Sequence, residues 1–543
     1  MNARFGSFGP RLWGEVATVV VVVGAAYTWL LSPIMVDDVQ RYIDELGTNR
    51  FYWDIGHVWM QPLALVVYRL SGGTLGIIGT LEALSVASVA IGCGVFYDML
   101  RRCGHDATKS VAATALVAVS FNLLSLGPTA HIKLMVLPAL ALALRHAVLW
   151  EKQIENGRTS SFHAIASGAW LGVAANLLVS VLPAGVFVGA MMLWKVRKSG
   201  AVGWNAAAGK VLPFAAALAL SGASLILMAY MVAVSSESTR AADFVTFVLG
   251  GLKEKQDLHV GVTGWKEIPF RFVYSLINNF QYLPSLGPLG RAWLWGLLPD
   301  VRQVALELAG QAVLACLAVL ALAGTFGMAA VSIARPASGL VSASAFVLGA
   351  AGFSAYYNLN DPEHWFQFTM PIAFLAVQLK RRWLDRLVLA VWMPTLLVVN
   401  LWGYGIPKAT FELIERQQIL RQALGHEGLY VGFAGYPGEP DSSLFDLGGI
   451  ERFRIDLVQE QDAKRSTSRL LELLDRRVDA AHARGGRVLV FRALDTYDWR
   501  GPVMHVTRRG LRRADLQSHL TQRYKLVGPM DVAGFQAWEI VPR

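Results

Sequence analysis

The apolar residues of this chain fall into long runs, with polar and charged residues confined to the gaps between them. Runs long enough to cross a hydrocarbon core, about 20 residues for roughly 30 Å, lie near 13–35, 73–98, 110–127, 129–149, 162–179, 181–194, 211–234, 303–333, 339–357, 366–379 and 384–403. The pattern predicts about eleven transmembrane helices, two of them short enough to be tilted, paired or re-entrant. After residue 404 the pattern changes to short alternating segments. Leu429 to Phe433 reads as a strand, Ser468 to Arg484 as an amphipathic helix, and Arg487 to Phe491 as a buried strand after a Gly-Gly stop. Helix-like Leu516 to Tyr524 and strand-like Gln536 to Val541 follow, so a small α/β domain is expected here. It contains no glycine-rich phosphate loop, which leaves a nucleotide site without support.

Composition agrees with the runs. With 54% hydrophobic residues, 16% charged residues and a mean hydropathy of +0.42, the chain has more apolar surface than a soluble core of its length needs. Cys93, Cys103 and Cys316 have neither a CxxC spacing nor a ligand-like one, which argues against a disulfide framework or a zinc site. A net charge of +10 would by itself suggest a nucleic-acid partner. Its distribution gives a different explanation. Arg4 and Arg11, then Arg101, Arg102 and Lys109, then Arg145, Lys152 and Arg158, then Lys195, Arg197, Lys198 and Lys210, then Arg335, and finally Lys380, Arg381, Arg382 and Arg386 all fall on one side of an eleven-span count. This predicts a bacterial inner-membrane protein with a cytoplasmic N-terminus, a periplasmic C-terminal domain and no nucleic-acid partner. Trp13, Trp150, Trp194 and Trp383 would mark inner interfaces, and Trp29, Trp59, Trp365 and Trp402 outer ones. The first run starts basic, like a signal peptide, but is too long and lacks a small-residue cleavage site before Asp37, so an uncleaved span is expected.

The same count places the loop 36–72, the loop 235–302, the link 358–365 and the C-terminal domain outside. The domain boundaries read from this are 1–404 for the transmembrane part and 405–543 for the α/β part. In the first loop, Asp37 and Asp38 are followed by Arg41 and Tyr42. An acid at a membrane boundary gains proton affinity when water is excluded, and a guanidinium one helical turn away can grip a phosphate with two parallel hydrogen bonds. The same residues would also serve to solvate a loop end. A second cluster, Asp361, Glu363 and His364, could position an acceptor hydroxyl or join the first-loop acids around a divalent cation; a polar turn is the alternative. Asp54 and His57 are weaker candidates. Residues 268–286 mix aromatics with Arg271 and suit an amphipathic interfacial helix. Asn122, His131, Lys133 and Asn176 sit at segment boundaries.

An apolar span, an acidic pair, Arg41-Tyr42 and an aromatic-rich stretch leading to Gln61-Pro62-Leu63 together resemble the first outer loop of GT-C glycosyltransferases, nearest to the aminoarabinose and mannosyl transferase group. In that group an Asp is followed three residues later by Arg-Tyr, which maps onto Asp38, Arg41 and Tyr42. The group's Lys-Pro-Pro-Leu element is Met60-Gln61-Pro62-Leu63 here, leaving His57 or a distant Lys or Arg as the substitute for the lysine. The resemblance implies a polytopic helical fold and transfer of a monosaccharide, with inversion, from a polyprenyl-phosphate donor to a periplasmic glycan, lipid or protein acceptor. Asp38 or Asp37 would be the base and Arg41 the phosphate clamp. Other readings are a polymerase or ligase using polyprenyl-diphosphate donors, and, from another class, a transporter or a sensor or anchor protein. The spans carry few charges and no evident inverted halves, as a transporter would need.

Overall fold

A computed structural model describes residues 10–31, 39, 42–43, 46, 57–158, 161–200, 203–235, 243–249, 279–280, 339–356, 365–376, 390–391, 393–401, 411–432, 451–455, 466–491, 493–494 and 511–543. The chain is an α-helical polytopic membrane protein with a small C-terminal sheet, and its described elements belong to two compact units.

The helical unit holds α1 (Pro10–Trp29), α2 (Met60–Leu70), α3 (Gly76–Arg102), α4 (Ala107–Ala118), α5 (Phe121–Leu126), α6 (Val136–Glu155), α7 (Ser161–Leu177), α8 (Leu182–Gly200), α9 (Trp204–Ser235), α10 (Leu340–Tyr356), α11 (Thr369–Ala376) and α12 (Met393–Asn400). Among the described residues, five helical segments, at 10–29, 76–102, 132–155, 179–198 and 204–235, are long and apolar enough to cross a membrane. A helix satisfies its own backbone polar groups, which is what an apolar run requires in lipid. The expected run at 303–333 lies outside the described residues. Ends of helices follow local chemistry. Gly104 takes φ +92° just past α3, and the Asp106 side chain then accepts from Lys109 N at 2.8 Å to start α4.

Charge divides the helical unit into two ends. At one end Glu15 of α1 accepts from Arg101 Nε at 2.9 Å and from Tyr97 OH at 3.0 Å. Asp98 pairs with Arg102 and with Arg145 of α6, each at 2.8 Å. Lys195 of α8 pairs with Glu155 at 2.5 Å and with buried Glu151 at 3.4 Å. Glu151 also accepts from Ser342 N at 2.8 Å and Val341 N at 3.3 Å, capping the start of α10. This basic belt brings together Arg101, Arg102, Arg145 and Lys195 from three of the clusters in the charge count; Arg4, Arg335, Lys380, Arg381, Arg382 and Arg386 lie outside the described residues. Trp150 is buried there and Trp365 is buried at the other end, stacked on Phe368 at 4.8 Å, so these two tryptophans are packing residues and not interfacial markers.

The C-terminal unit holds α13 (Phe411–Leu424), β1 (Leu429–Gly432), β2 (Glu451–Arg454), α14 (Thr467–Ala483), β3 (Val488–Phe491), α15 (Arg513–Arg523), β4 (Lys525–Val532) and β5 (Phe535–Val541). The sheet order is β2-β1-β3-β5-β4, with β2, β1 and β3 parallel and β5 antiparallel to both of its neighbours. Leu429, Val431, Val488 and Val490 face a core that includes Leu470, Leu474 and Val478 of α14 and Leu516 and Leu520 of α15. Tyr430, Leu489 and Phe491 point the other way, onto Leu420 and Leu424 of α13. Burial on both faces explains why β1 and β3 read as unbroken apolar runs.

Candidate functional site at the end opposite the basic belt

The end of the helical unit away from the belt gathers buried amides, hydroxyls and imidazoles among the described residues. Asn122 on α5 donates from Nδ2 to Asn279 Oδ1 at 2.7 Å, and Asn279 Nδ2 donates to Thr369 Oγ1 at 3.1 Å. The backbone repeats the link, with Asn122 N donating to Asn279 O and Phe121 N to Phe280 O, both at 3.1 Å. Asn400 closes α12 by donating to Val119 O at 2.7 Å and Phe280 O at 2.9 Å. The turn at 279–280 is thereby fixed to α5, α11 and α12, and both of its residues are buried. Gln367 donates to Ser180 Oγ at 3.2 Å, joining the turns before α8 and α11. Such polar networks hold a unique arrangement where apolar contacts alone would permit sliding.

Beside this network, α2 packs against the 3-10 turn Ile132–Met135 that precedes α6. His57, Gln61, His131 and Lys133 are all buried in these segments. Ser85 Oγ donates to His131 O at 3.4 Å, and Trp59 Nε1 donates to Leu225 O of α9 at 3.0 Å. Val58 joins Ala229, Ala233 and Phe247 in a separate apolar cluster, so the segment entering α2 is held against α9 and the residues 243–249.

Of the residues that the sequence singles out for chemistry, His57 lies at this end, just before the first turn of α2, with 4% of its surface exposed. Asp37, Asp38, Arg41, Asp361, Glu363 and His364 lie outside the described residues, as does Asp54. Their neighbours Val39, Tyr42 and Trp365 are described, and each is buried. Of the expected interfacial helix at 268–286, residues 279–280 form the buried turn described above; the rest lies outside the described residues. Among the described residues no group of three or more His, Cys, Asp or Glu side chains could hold a metal ion. Asn279, Thr369 and Asn400 carry no motif in the sequence. Their only signal is an amide or hydroxyl adjoining an apolar run.

No protein-family model matches the sequence, and no curated protein matches it. Among solved structures, the chain is similar to ArnT from Cupriavidus metallidurans, crystallised with undecaprenyl phosphate, at 13% identity over 97% of this chain and 98% of that one, with a TM-score of 0.36. It is also similar to the archaeal oligosaccharyltransferase AglB from Archaeoglobus fulgidus in complex with an inhibitory peptide and a dolichol-phosphate. There the identity is 9%, the coverage 96% of this chain and 73% of that one, and the TM-score 0.46. Superpositions at this level place no residue of one site on another, and the chemistry below is argued from this chain's own side chains.

Proposed function

We propose that the protein transfers a monosaccharide from a polyprenyl-phosphate-linked donor to a periplasmic glycan, lipid or protein acceptor, with inversion. The observation that supports it is the Asp37-Asp38-Val39-Gln40-Arg41-Tyr42 cluster that follows α1. Helix α1 starts in the basic belt through Glu15, and chain described again at His57–Trp59 packs at the opposite end. In this reading Asp38 or Asp37 removes the acceptor hydroxyl proton as its oxygen attacks the anomeric carbon. The bond from that carbon to the phosphate oxygen breaks, and the phosphate leaves with the electron pair, its charge held by Arg41. A donor with a lipid tail and a charged head suits a polar end on an apolar bundle. Asp361, Glu363 and His364 are assigned to the acceptor or to a divalent cation.

The test is mass spectrometry of envelope glycans and lipid-linked sugars from cells lacking the protein. A glycan missing one sugar residue, with polyprenyl-phosphate sugar accumulating, supports the transferase. Accumulation of a polyprenyl-diphosphate oligosaccharide supports a polymerase or ligase instead. Unchanged glycans and lipids refute both. In the purified enzyme Asp38→Asn or Asp37→Asn should abolish transfer while shifting stability by only about 0.5 kcal/mol, since an acid becomes its isosteric amide without making a cavity.

A further inference from the structure

Helices α8 and α9 provide two membrane-length segments, 179–198 and 204–235, and residues 201–203 join the helices. Two spans joined by so short a link leave the turn between them at one membrane surface. The pairing of Lys195 with Glu155 puts that surface at the end of the basic belt. The charge of this stretch is one-sided. Between Glu155 and Glu237 the chain has no acid, while its cations are Arg158, Lys195, Arg197, Lys198 and Lys210. Elsewhere in the belt Arg101, Arg102, Arg145 and Lys195 meet the carboxylates of Glu15, Asp98, Glu151 and Glu155. At the α8–α9 turn two cations lie over indole rings. Lys198 Nζ is 5.0 Å from the ring centre of Trp194, and Arg197 Cζ of α8 is 5.6 Å from that of Trp204 at the start of α9. A cation within about 6 Å of an aromatic face is attracted to it without being neutralised. All four side chains are exposed, Trp194 at 45% and Trp204 at 59%. An indole exposed at the end of a span belongs at the boundary between acyl chains and headgroups, so the cation stacked on it is held at the depth of lipid phosphates. Lys210, also exposed, adds charge to the first turns of α9, whose 32 residues exceed the about 20 that a hydrocarbon core requires.

We propose that the α8–α9 turn is a docking surface for anionic phospholipid, with Arg197 and Lys198 on the headgroup phosphate and Trp194 and Trp204 against the glycerol and upper acyl chains. Charge complementarity selects this occupant. A zwitterionic headgroup carries its own ammonium beside the phosphate, whereas an anionic one leaves a net negative charge for an acid-free basic surface to attract. Arg197 reaches from α8 to Trp204 of α9, so a headgroup bound there ties the two helices together. This surface is independent of the reaction proposed above.

The test is thermal unfolding of the full-length protein in a neutral maltoside detergent, titrated separately with phosphatidylglycerol, with phosphatidylcholine of the same acyl chains, and with inorganic phosphate. The variants are Arg197→Gln with Lys198→Gln, and Arg11→Gln, which removes an exposed cation of the same end outside the turn. Wild type should be stabilised by phosphatidylglycerol at an about tenfold lower mole fraction than by phosphatidylcholine, a preference that shrinks as salt rises. The double variant should lose the preference and Arg11→Gln should keep it. Each protein is read as the ratio of its two lipid midpoints, so a change in lipid-free stability does not mask the result. No preference in wild type overturns the proposal, as does a preference that the double variant retains. Equal losses in the double variant and Arg11→Gln identify a diffuse surface potential, and stabilisation by inorganic phosphate alone identifies an anion site that needs no lipid; either overturns the docking surface.

Discussion

Replacing Asn279 by alanine tests how firmly the 279–280 turn is held to the bundle. The side chain links Asn122 and Thr369, all three being at most 1% exposed. Truncation removes the hydrogen bonds to both residues and leaves Asn122 Nδ2 and Thr369 Oγ1 without those partners. Stranding a buried polar group costs about 1–3 kcal/mol, but polar contacts between membrane helices have measured couplings of only about 0.6 kcal/mol on average and about 1.7 at most. The smaller values arise because the unfolded chain in a micelle also finds partners. Two such contacts plus a small cavity give an expected loss of about 2 kcal/mol for Asn279→Ala. Removing both partners of the Asn122–Asn279 pair leaves only Thr369 Oγ1 without its contact, so Asn122→Leu with Asn279→Leu should lie closer to wild type than the sum of the single changes. The assay is unfolding in mixed micelles titrated with sodium dodecyl sulfate and followed by tryptophan fluorescence, with the double-mutant cycle evaluated at one detergent composition. A loss below about 0.5 kcal/mol for Asn279→Ala, which is the range of an ordinary surface change, would refute the anchoring argument, as would strictly additive single and double changes.

Glu151→Ala should cost about 2–3 kcal/mol in the same assay, because it uncaps α10 and removes a buried carboxylate, while Lys195 keeps Glu155 and is not left stranded; Glu151→Gln should recover about half, and equal stability for all three proteins would contradict the capping role. In the C-terminal unit, Arg487 grips both oxygens of Glu539 at 2.8 Å, and this hydrogen-bonded pairing holds the Glu539 carboxyl below the usual range. A lowered carboxyl pKa contributes stability that is present above the unfolded-state value and lost as pH falls through the folded one, so Glu539→Gln should flatten the acid limb of the full-length protein's stability profile below about pH 4.5 and leave the slope near pH 7 unchanged. The charge count predicts that alkaline phosphatase fused after Arg543 is active and fused after Arg382 inactive; the opposite pattern would place the acid-arginine cluster in the cytoplasm and end the proposed mechanism.

Runs and periodicities made part of this architecture legible. The apolar runs at 73–98, 162–179 and 211–234 became α3, α7 and α9, and the stretches read as strands at 429–433 and 487–491 became β1 and β3. Strand β2, Glu451-Arg-Phe-Arg454, was not legible because it is short and charged and pairs only with β1, at the sheet edge. Strand β4 was hidden by Gly528-Pro529 in its middle, which an edge strand tolerates because a proline lacking N–H need not face a partner there. Helix α2 was absorbed into the first loop, its eleven residues being too few for a span. The amide network at the end opposite the belt could not be read at all. In the sequence Asn122 is marked only by its place at a segment boundary and Asn279, Thr369 and Asn400 by nothing, and only folding brings the four together. The basic clusters were legible as a side preference, whereas their pairing with Glu15, Asp98, Glu151 and Glu155 depends on which helices meet.

The basic belt has a consequence for how the chain is made. Arg102 and Asp98 are one turn apart on α3 and can pair as soon as that helix forms, but Arg145 reaches Asp98 only after α6 has been synthesised and has docked. During insertion, then, Arg145 acts as an unpaired cation and helps to hold its flank on one side of the membrane, an effect to which acids contribute little. In the finished protein the same guanidinium is a partner in a shared ion pair. Its two duties are separated in time. A variant that loses Asp98 should therefore still be threaded through the membrane the right way round and fail only afterwards, in assembly, whereas a variant that loses Arg102 and Arg145 together should be at risk in both steps.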